Sequence, residues 1–322
     1  LGKKALEKLV LSKNKSLVNS PSHLKIDSEY HRTIYAHGYP RIVEQGFLDK
    51  IISCAGNFDF SFHVSPFNVE TMILMINKEL QKSLRPKLTD PAIRLADMDK
   101  QGIDVQAIST SPFHYNYDKP AEFARDTCNV VNDRIAEVVG THPDRFVGLG
   151  TLPLQDVDMS IAELERCVND LGFKGVEIST NVNGTDLTRA GLEKLFQRIE
   201  EMGVMIFIHP IGTSFKERMG DHYFRNTIGH PLESALAVGH LVFDGYLEKY
   251  PGLKICIAHG GGYIPAYSGR FDHPYHLRDD CRTTISKPPS EYIKKLYFDT
   301  VVFTEHQLRY MIDTWGADKV VM

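Results

Sequence analysis

From about residue 90 onward the chain alternates short β-rich runs with amphipathic helical stretches, the pattern of βα units wound around a parallel sheet. In order, the runs are "DVQAIST" (Asp104 to Thr110), "RFVGLGTLPL" (Arg145 to Leu154), "GVEIST" (Gly175 to Thr180), "VMIFIHP" (Val204 to Pro210), "LKICIAH" (Leu253 to His259), "LYFDTVVF" (Leu296 to Phe303) and "KVVM" (Lys319 to Met322). Runs such as "KICIA" are apolar without alternation, as strands buried on both faces must be. Between them, "MSIAELERCVNDLG" reads as a helix starting near Ser160 and stopping at Gly172, and "LTRAGLEKLFQRIEEMG" as one stopping at Gly203. The predicted fold is α/β, a (β/α)8 TIM barrel. Such a barrel closes on eight strands, one more than the runs supply, and the last run ends with the chain and lacks its covering helix. The chain starts on Leu1 and stops mid-strand on Met322, so the sequence reads as a piece trimmed at both ends, with the first strand expected before Leu1.

Residues 1–90 differ in character. The stretch "HRTIYAHGYPRIVEQGFLDKIISCAGNFDFSFHVSPF" has aromatics, prolines and glycines without a sustained period. It is read as an N-terminal insert or cap belonging to the barrel domain of residues 91–322, placed over one barrel mouth, since long loops in compact domains are often lids or binding loops.

Charge and cysteines narrow the setting. A net charge of -4 offers no basic field for a phosphate backbone, so nucleic acid is an unexpected partner. Cys54, Cys128, Cys167, Cys256 and Cys281 are scattered and form no C-x-x-C pair, which points to a reducing, cytoplasmic setting rather than a disulfide framework. Cys256, inside a β-run, reads as a small buried hydrophobe. No apolar run approaches the roughly 20 residues of a membrane helix.

His209 closes "VMIFIHP" and His259 closes "KICIAHGGG", so both are expected at the carboxyl-terminal face of the barrel, where strand ends hold side chains rigidly. Gly260, Gly261 and Gly262 allow a sharp turn there. Two imidazoles in that position suggest a metal ligand and a general acid/base; the competing reading is a pair of hydrogen-bonded core histidines. Catalytic zinc commonly takes three protein ligands. No H-x-H pair occurs in the chain, and His209 is the one ligand nominated by strand position. Arg85 in "SLRPKLTD" is a candidate carboxylate clamp, because a guanidinium meets a carboxylate bidentately; a solvated loop charge is the plainer reading. Asp299 in "YFDTVVF" is either a support for the site or a helix-facing or interlayer aspartate. Histidines read onto loops and helices, His114 and His240 among them, carry no assigned role.

The segments "IRLADMDKQGIDVQAISTSP", "HPDRFVGLGTLPLQD", "ELERCVNDLGFKGVEISTNVNG", "FIHP", "LEKYPGLKICIAHGGGYIPAYSGRFDH" and "YFDTVVF" together resemble the decarboxylase branch of the amidohydrolase superfamily, from about Asp90 to Met322. The resemblance implies one divalent metal, zinc or else manganese, with His209 as the metal-binding histidine of the fifth barrel strand and His259 as the catalytic histidine after the sixth. It implies that Arg270 in "SGRFDH" reaches a neighbouring subunit's site and grips a substrate carboxylate, and so a homodimer; a surface salt bridge is the alternative from sequence alone. It also places an H-x-H pair before Leu1 and a ligand aspartate after Met322. The family's tryptophan after the His-Pro pair is Ile211 here, and residues 1–90 match poorly, which leaves the exact substrate open.

The expected activity is therefore metal-dependent, non-oxidative decarboxylation of an unsaturated or aromatic carboxylic acid, with His259 shuttling the proton. Two readings compete with it: hydrolysis or hydration at the same site, and a catalytically inactive barrel used for dimerisation or ligand binding.

Overall fold

The computed structural model describes residues 90–322. The expected cap of residues 1–90, Arg85 and an eighth strand all lie outside the described residues, Asp90 apart. The first element, α1 (Pro91–Gln101), carries its boundaries in its sequence. The Asp90 side chain accepts from Ala92 N, proline opens the helix, and Gly102 closes it at φ +68.

Strands β1 (Gln106–Ile108), β2 (Phe146–Gly150), β3 (Gly175–Ile178), β6 (Met205–Ile208), β7 (Lys254–Ile257), β8 (Tyr297–Asp299) and β9 (Val320–Val321) form a seven-stranded sheet in the order β1-β2-β3-β6-β7-β8-β9. Every pairing is parallel. All seven predicted runs contribute, each shortened; β3 keeps its expected start at Gly175. Between them run α2 (Ala121–Thr141), α3 (Val157–Asn169), α4 (Glu193–Met202), α5 (His230–Phe243), α6 (Tyr246–Lys249), α7 (Ile264–Leu277), α8 (Pro289–Ile293) and α9 (Glu305–Trp315). This alternation fits an α/β barrel.

The strand period explains why the runs read as continuously apolar. Val176, Ile178, Ile206, Ile208, Ile255 and Ile257 face outward into the large core shared with Leu195, Phe196 and Ile199 of α4 and Val238 and Leu241 of α5. Their neighbours Phe207, Cys256 and Ala258 face the other way, into an inner cluster with Leu149 and Val301. Each such side chain taken fully out of water contributes on the order of 1.5–3 kcal/mol. His209 continues the inward set of β6 one step past Ile208.

Two local expectations need correcting. Helix α3 starts at Val157, not near Ser160, because Asp156 caps it by accepting from Met159 N, while the Ser160 hydroxyl donates back to Pro153 O and Asp156 O. It also ends at Asn169, before Gly172 at φ +70. The two-stranded hairpin β4 (Asn181–Val182) and β5 (Thr185–Asp186) was not anticipated; Asn183 and Gly184, both at positive φ, make its two-residue turn.

Candidate active site

Strands β6 and β7 run in register, with Ile208 opposite Ile257. His209 N donates to Ile178 O and Ala258 N to Ile208 O, which carries the ladder past the strand ends. The two predicted histidines therefore leave neighbouring strands at the same end. Their ring centroids lie 4.9 Å apart with 60° between planes. His209 is buried and His259 half-buried.

After His259 the chain turns at once. His259, Gly260, Gly261 and Gly262 all have positive φ, at +58, +60, +74 and +62, and helix α7 follows from Ile264. Glycine takes this geometry freely, whereas a histidine there is uncommon. Asp299, at the end of β8 and with no exposed surface, meets this turn. Its Oδ2 accepts from His259 N at 3.0 Å, and its Oδ1 from Gly260 N at 2.7 Å and Val301 N at 3.0 Å. The side chain is thus neither interlayer nor helix-facing.

A third imidazole joins the pair. His230 opens α5 directly after a π-helical turn, Arg225–Gly229, of the kind often found at functional sites. Its ring stacks on His259 at 5.4 Å and 28°, and lies 6.1 Å from His209. Burial pushes its pKa down to about 4, which keeps it neutral near pH 7. One turn further on, buried Glu233 accepts from Asn181 Nδ2 at 3.1 Å and Ser214 N at 2.5 Å, tying the β4–β5 hairpin and the segment after β6 to α5. No sequence expectation covered His230 or Glu233. The one local signal was "GHP", a helix start, which says nothing of what the ring would meet.

A further buried acid lies on β3. Glu177 of β3 is fully buried and accepts from the Tyr115 hydroxyl at 2.5 Å. Desolvation pushes its pKa up to about 7, against the pull of the hydrogen bond from Tyr115.

His209 offers a buried imidazole at a strand end, a donor suited to zinc and other divalent transition metals. Among the described residues no group of three or more His, Cys, Asp or Glu side chains is gathered so as to hold an ion. These residues thus fit one corner of a metal site rather than a complete one. Arg270 sits on α7 and lines an open concavity with Gly269, His273 and Pro274, none of them a member of the His209–His230–His259 group. Among the described residues no helix is long and apolar enough to cross a membrane.

The chain is similar to known proteins in sequence and in fold. A family model described as amidohydrolase matches residues 58–321. A 2-amino-3-carboxymuconate-6-semialdehyde decarboxylase of Dictyostelium discoideum is 36% identical over 250 residues, covering 77% of this chain and 70% of that protein. A gamma-resorcylate decarboxylase of Rhodococcus jostii is 31% identical over 202 residues, 56% of this chain and 59% of its own. Among solved structures, a dihydroxybenzoic acid decarboxylase from Polaromonas sp., with bound manganese and the inhibitor 2-nitroresorcinol, superposes with a TM-score of 0.70 at 26% identity, covering 79% of this chain and 82% of that one.

Proposed function

The chain belongs to the amidohydrolase family, and we propose that it is a metal-dependent, non-oxidative decarboxylase of an aromatic or unsaturated carboxylic acid. The observation that carries the assignment to this site is the pair of imidazoles at adjacent strand ends, 4.9 Å apart. The relatives named above act on carboxylated, conjugated substrates, and the same substrate class is proposed here.

Loss of carbon dioxide leaves an electron pair on the carbon that bore the carboxylate. That carbon must gain a proton as the carbon–carbon bond breaks, and one well-placed acid/base is the minimum equipment. His259 is proposed to hold and deliver this proton, an imidazole being the side chain whose ordinary pKa suits transfer near neutral pH. His230, held neutral over one face of His259, excludes water and limits the directions from which substrate can approach. Arg270, on α7, is proposed to grip a substrate carboxylate in a second copy of the chain, making the enzyme a homodimer; Arg85 is proposed as a further guanidinium clamp. A divalent metal, zinc or manganese, with His209 among its ligands, supplies Lewis-acid polarisation of a substrate oxygen when bound.

The test is product analysis. Metal-loaded protein incubated with a panel of hydroxylated aromatic acids and conjugated dicarboxylic acids is expected to release carbon dioxide and yield the product in which hydrogen replaces the lost carboxyl group. Water incorporated without gas would replace the proposal with hydration or hydrolysis. Binding of these acids without any turnover would indicate an inactive barrel.

A further inference from the structure

We infer that Asp299 is a positioning residue for His259: its carboxylate, seated in the cradle of backbone N–H groups at the β7 exit, fixes the direction in which the His259 imidazole points. The inference rests on reading His259 as the acid/base.

The geometry is specific. Successive backbone N–H groups in a tight turn can be aimed at one point and make an anion-binding concavity. His259 and Gly260, at φ +58 and +60, form such a concavity, and the anion that fills it is a side chain of the next strand. The two carboxylate oxygens are divided between the donors. Oδ2 takes His259 N at 3.0 Å, while Oδ1 takes Gly260 N at 2.7 Å and Val301 N at 3.0 Å. Bonds from N–H groups to a carboxylate are short and strong, and Asp299 is wholly shielded from water.

The cradle is also what holds a non-glycine residue in a conformation it otherwise avoids. Without an acceptor, the buried Gly260 N–H and the part-buried His259 N–H would lose the partner they have in the fold. The backbone would relax toward negative φ, and the Cα–Cβ bond of His259 would swing off its line toward His209 and His230. The division of oxygens makes a sharp prediction for Asp299→Asn. A carboxamide keeps one oxygen, enough for the two donors that share Oδ1, and presents an NH2 donor to the N–H of His259. The substitution therefore disturbs the histidine more than the rest of the turn.

The experiment compares metal-loaded wild type, D299N, H259N and D299N/H259N in steady-state turnover, with metal content and thermal unfolding measured on each. Expected is a fall in kcat of about 100-fold in D299N, the scale of a misplacement of about 1 Å, with KM and metal content unchanged and the double variant no slower than H259N alone. A D299N enzyme within about twofold of wild-type kcat would overturn the inference. So would a D299N loss that recurs in full on top of H259N, which marks a role independent of the histidine. Wild-type turnover in H259N would instead defeat the reading of His259 itself. If D299N does not fold, the unsubstituted protein decides: the His259 and Gly260 amide protons are expected far downfield and slow to exchange by NMR, and fast exchange at both would overturn the cradle.

Discussion

His209 and His259 leave adjacent parallel strands with their ring centroids 4.9 Å apart, yet they meet different surroundings. His209 follows the inward face of β6, directly above Phe207, whereas His259 sits in a positive-φ turn that continues into α7. Under the proposed function, His209 would hold an ion and His259 would meet substrate. Replacing each should separate the roles. His209→Ala is expected to lose both bound metal and turnover. His259→Ala is expected to keep its metal and to lose turnover by about 10²–10⁴-fold, the usual contribution of a general acid or base. Elemental analysis beside a gas-release assay checks this, and equal metal loss in both variants would contradict the division.

Glu177 makes stability depend on pH in a predictable direction. Its pKa is raised from 4.5 to about 7 by burial, so the folded state holds a proton that the unfolded state has already released. Its contribution is fully favourable below pH 4.5, drains away between pH 4.5 and 7, and stays lost above that. The accumulated difference is about 3 kcal/mol, an order-of-magnitude figure. Glu177→Gln keeps an acceptor for the Tyr115 hydroxyl and removes the charge. Urea unfolding should show the variant more stable than wild type at pH 8, with the gap closing at pH 4.5. A gap independent of pH would rule out ionisation as the cause.

How much of this was readable beforehand follows from what each residue depends on. The seven parallel strands were legible because both of their faces are buried, which leaves apolar runs in any window that contains them. His209 and His259 were legible for the same reason: each polar ring ends such a run. The β4–β5 hairpin was missed although Asn183–Gly184 is a strong turn signal, because its strands are two residues each and show no period. Asp299 was ambiguous because strand alternation gives the face of a side chain but not the turn of a different strand that it will meet. His230 was invisible. A π-helical turn and the packing of α5 bring it to the site, and neither leaves a periodic trace.

The turn after His259 tolerates no side chain at its last glycine. Gly262 has φ +62 and ψ -123, and a Cβ there would stand 2.2 Å from the carbonyl oxygen of Pro231, a backbone atom at the start of α5. Backbone cannot move aside as a flexible side-chain end can. Gly262→Ala is expected to destabilise the fold by at least about 2 kcal/mol, combining conformational strain with the clash. Thermal unfolding reads the loss, and an unchanged midpoint would mean that α5 yields more readily than its packing implies.

Asn132 tests how far the barrel wall depends on one buried amide. It lies on α2 with no exposed surface. Its Oδ1 accepts from Thr151 N at 2.9 Å, while its Nδ2 donates to Thr151 O at 2.9 Å and to Glu163 Oε1 at 2.6 Å. One side chain thus completes the ladder of β2 beyond its last residue and satisfies a carboxylate of α3. That carboxylate is held from its other side by Arg166, at 2.8 Å. Asn132→Ala would strand a buried N–H, a carbonyl and part of a charged group together, at a cost of about 1–3 kcal/mol for each unsatisfied neutral group and more where charge is involved. A total near 3 kcal/mol is expected in urea unfolding, because Arg166 still partners Glu163. Adding Glu163→Gln should then cost little further, since the two residues act as one unit. Full additivity would show instead that Asn132 serves β2 alone and that α3 is anchored independently.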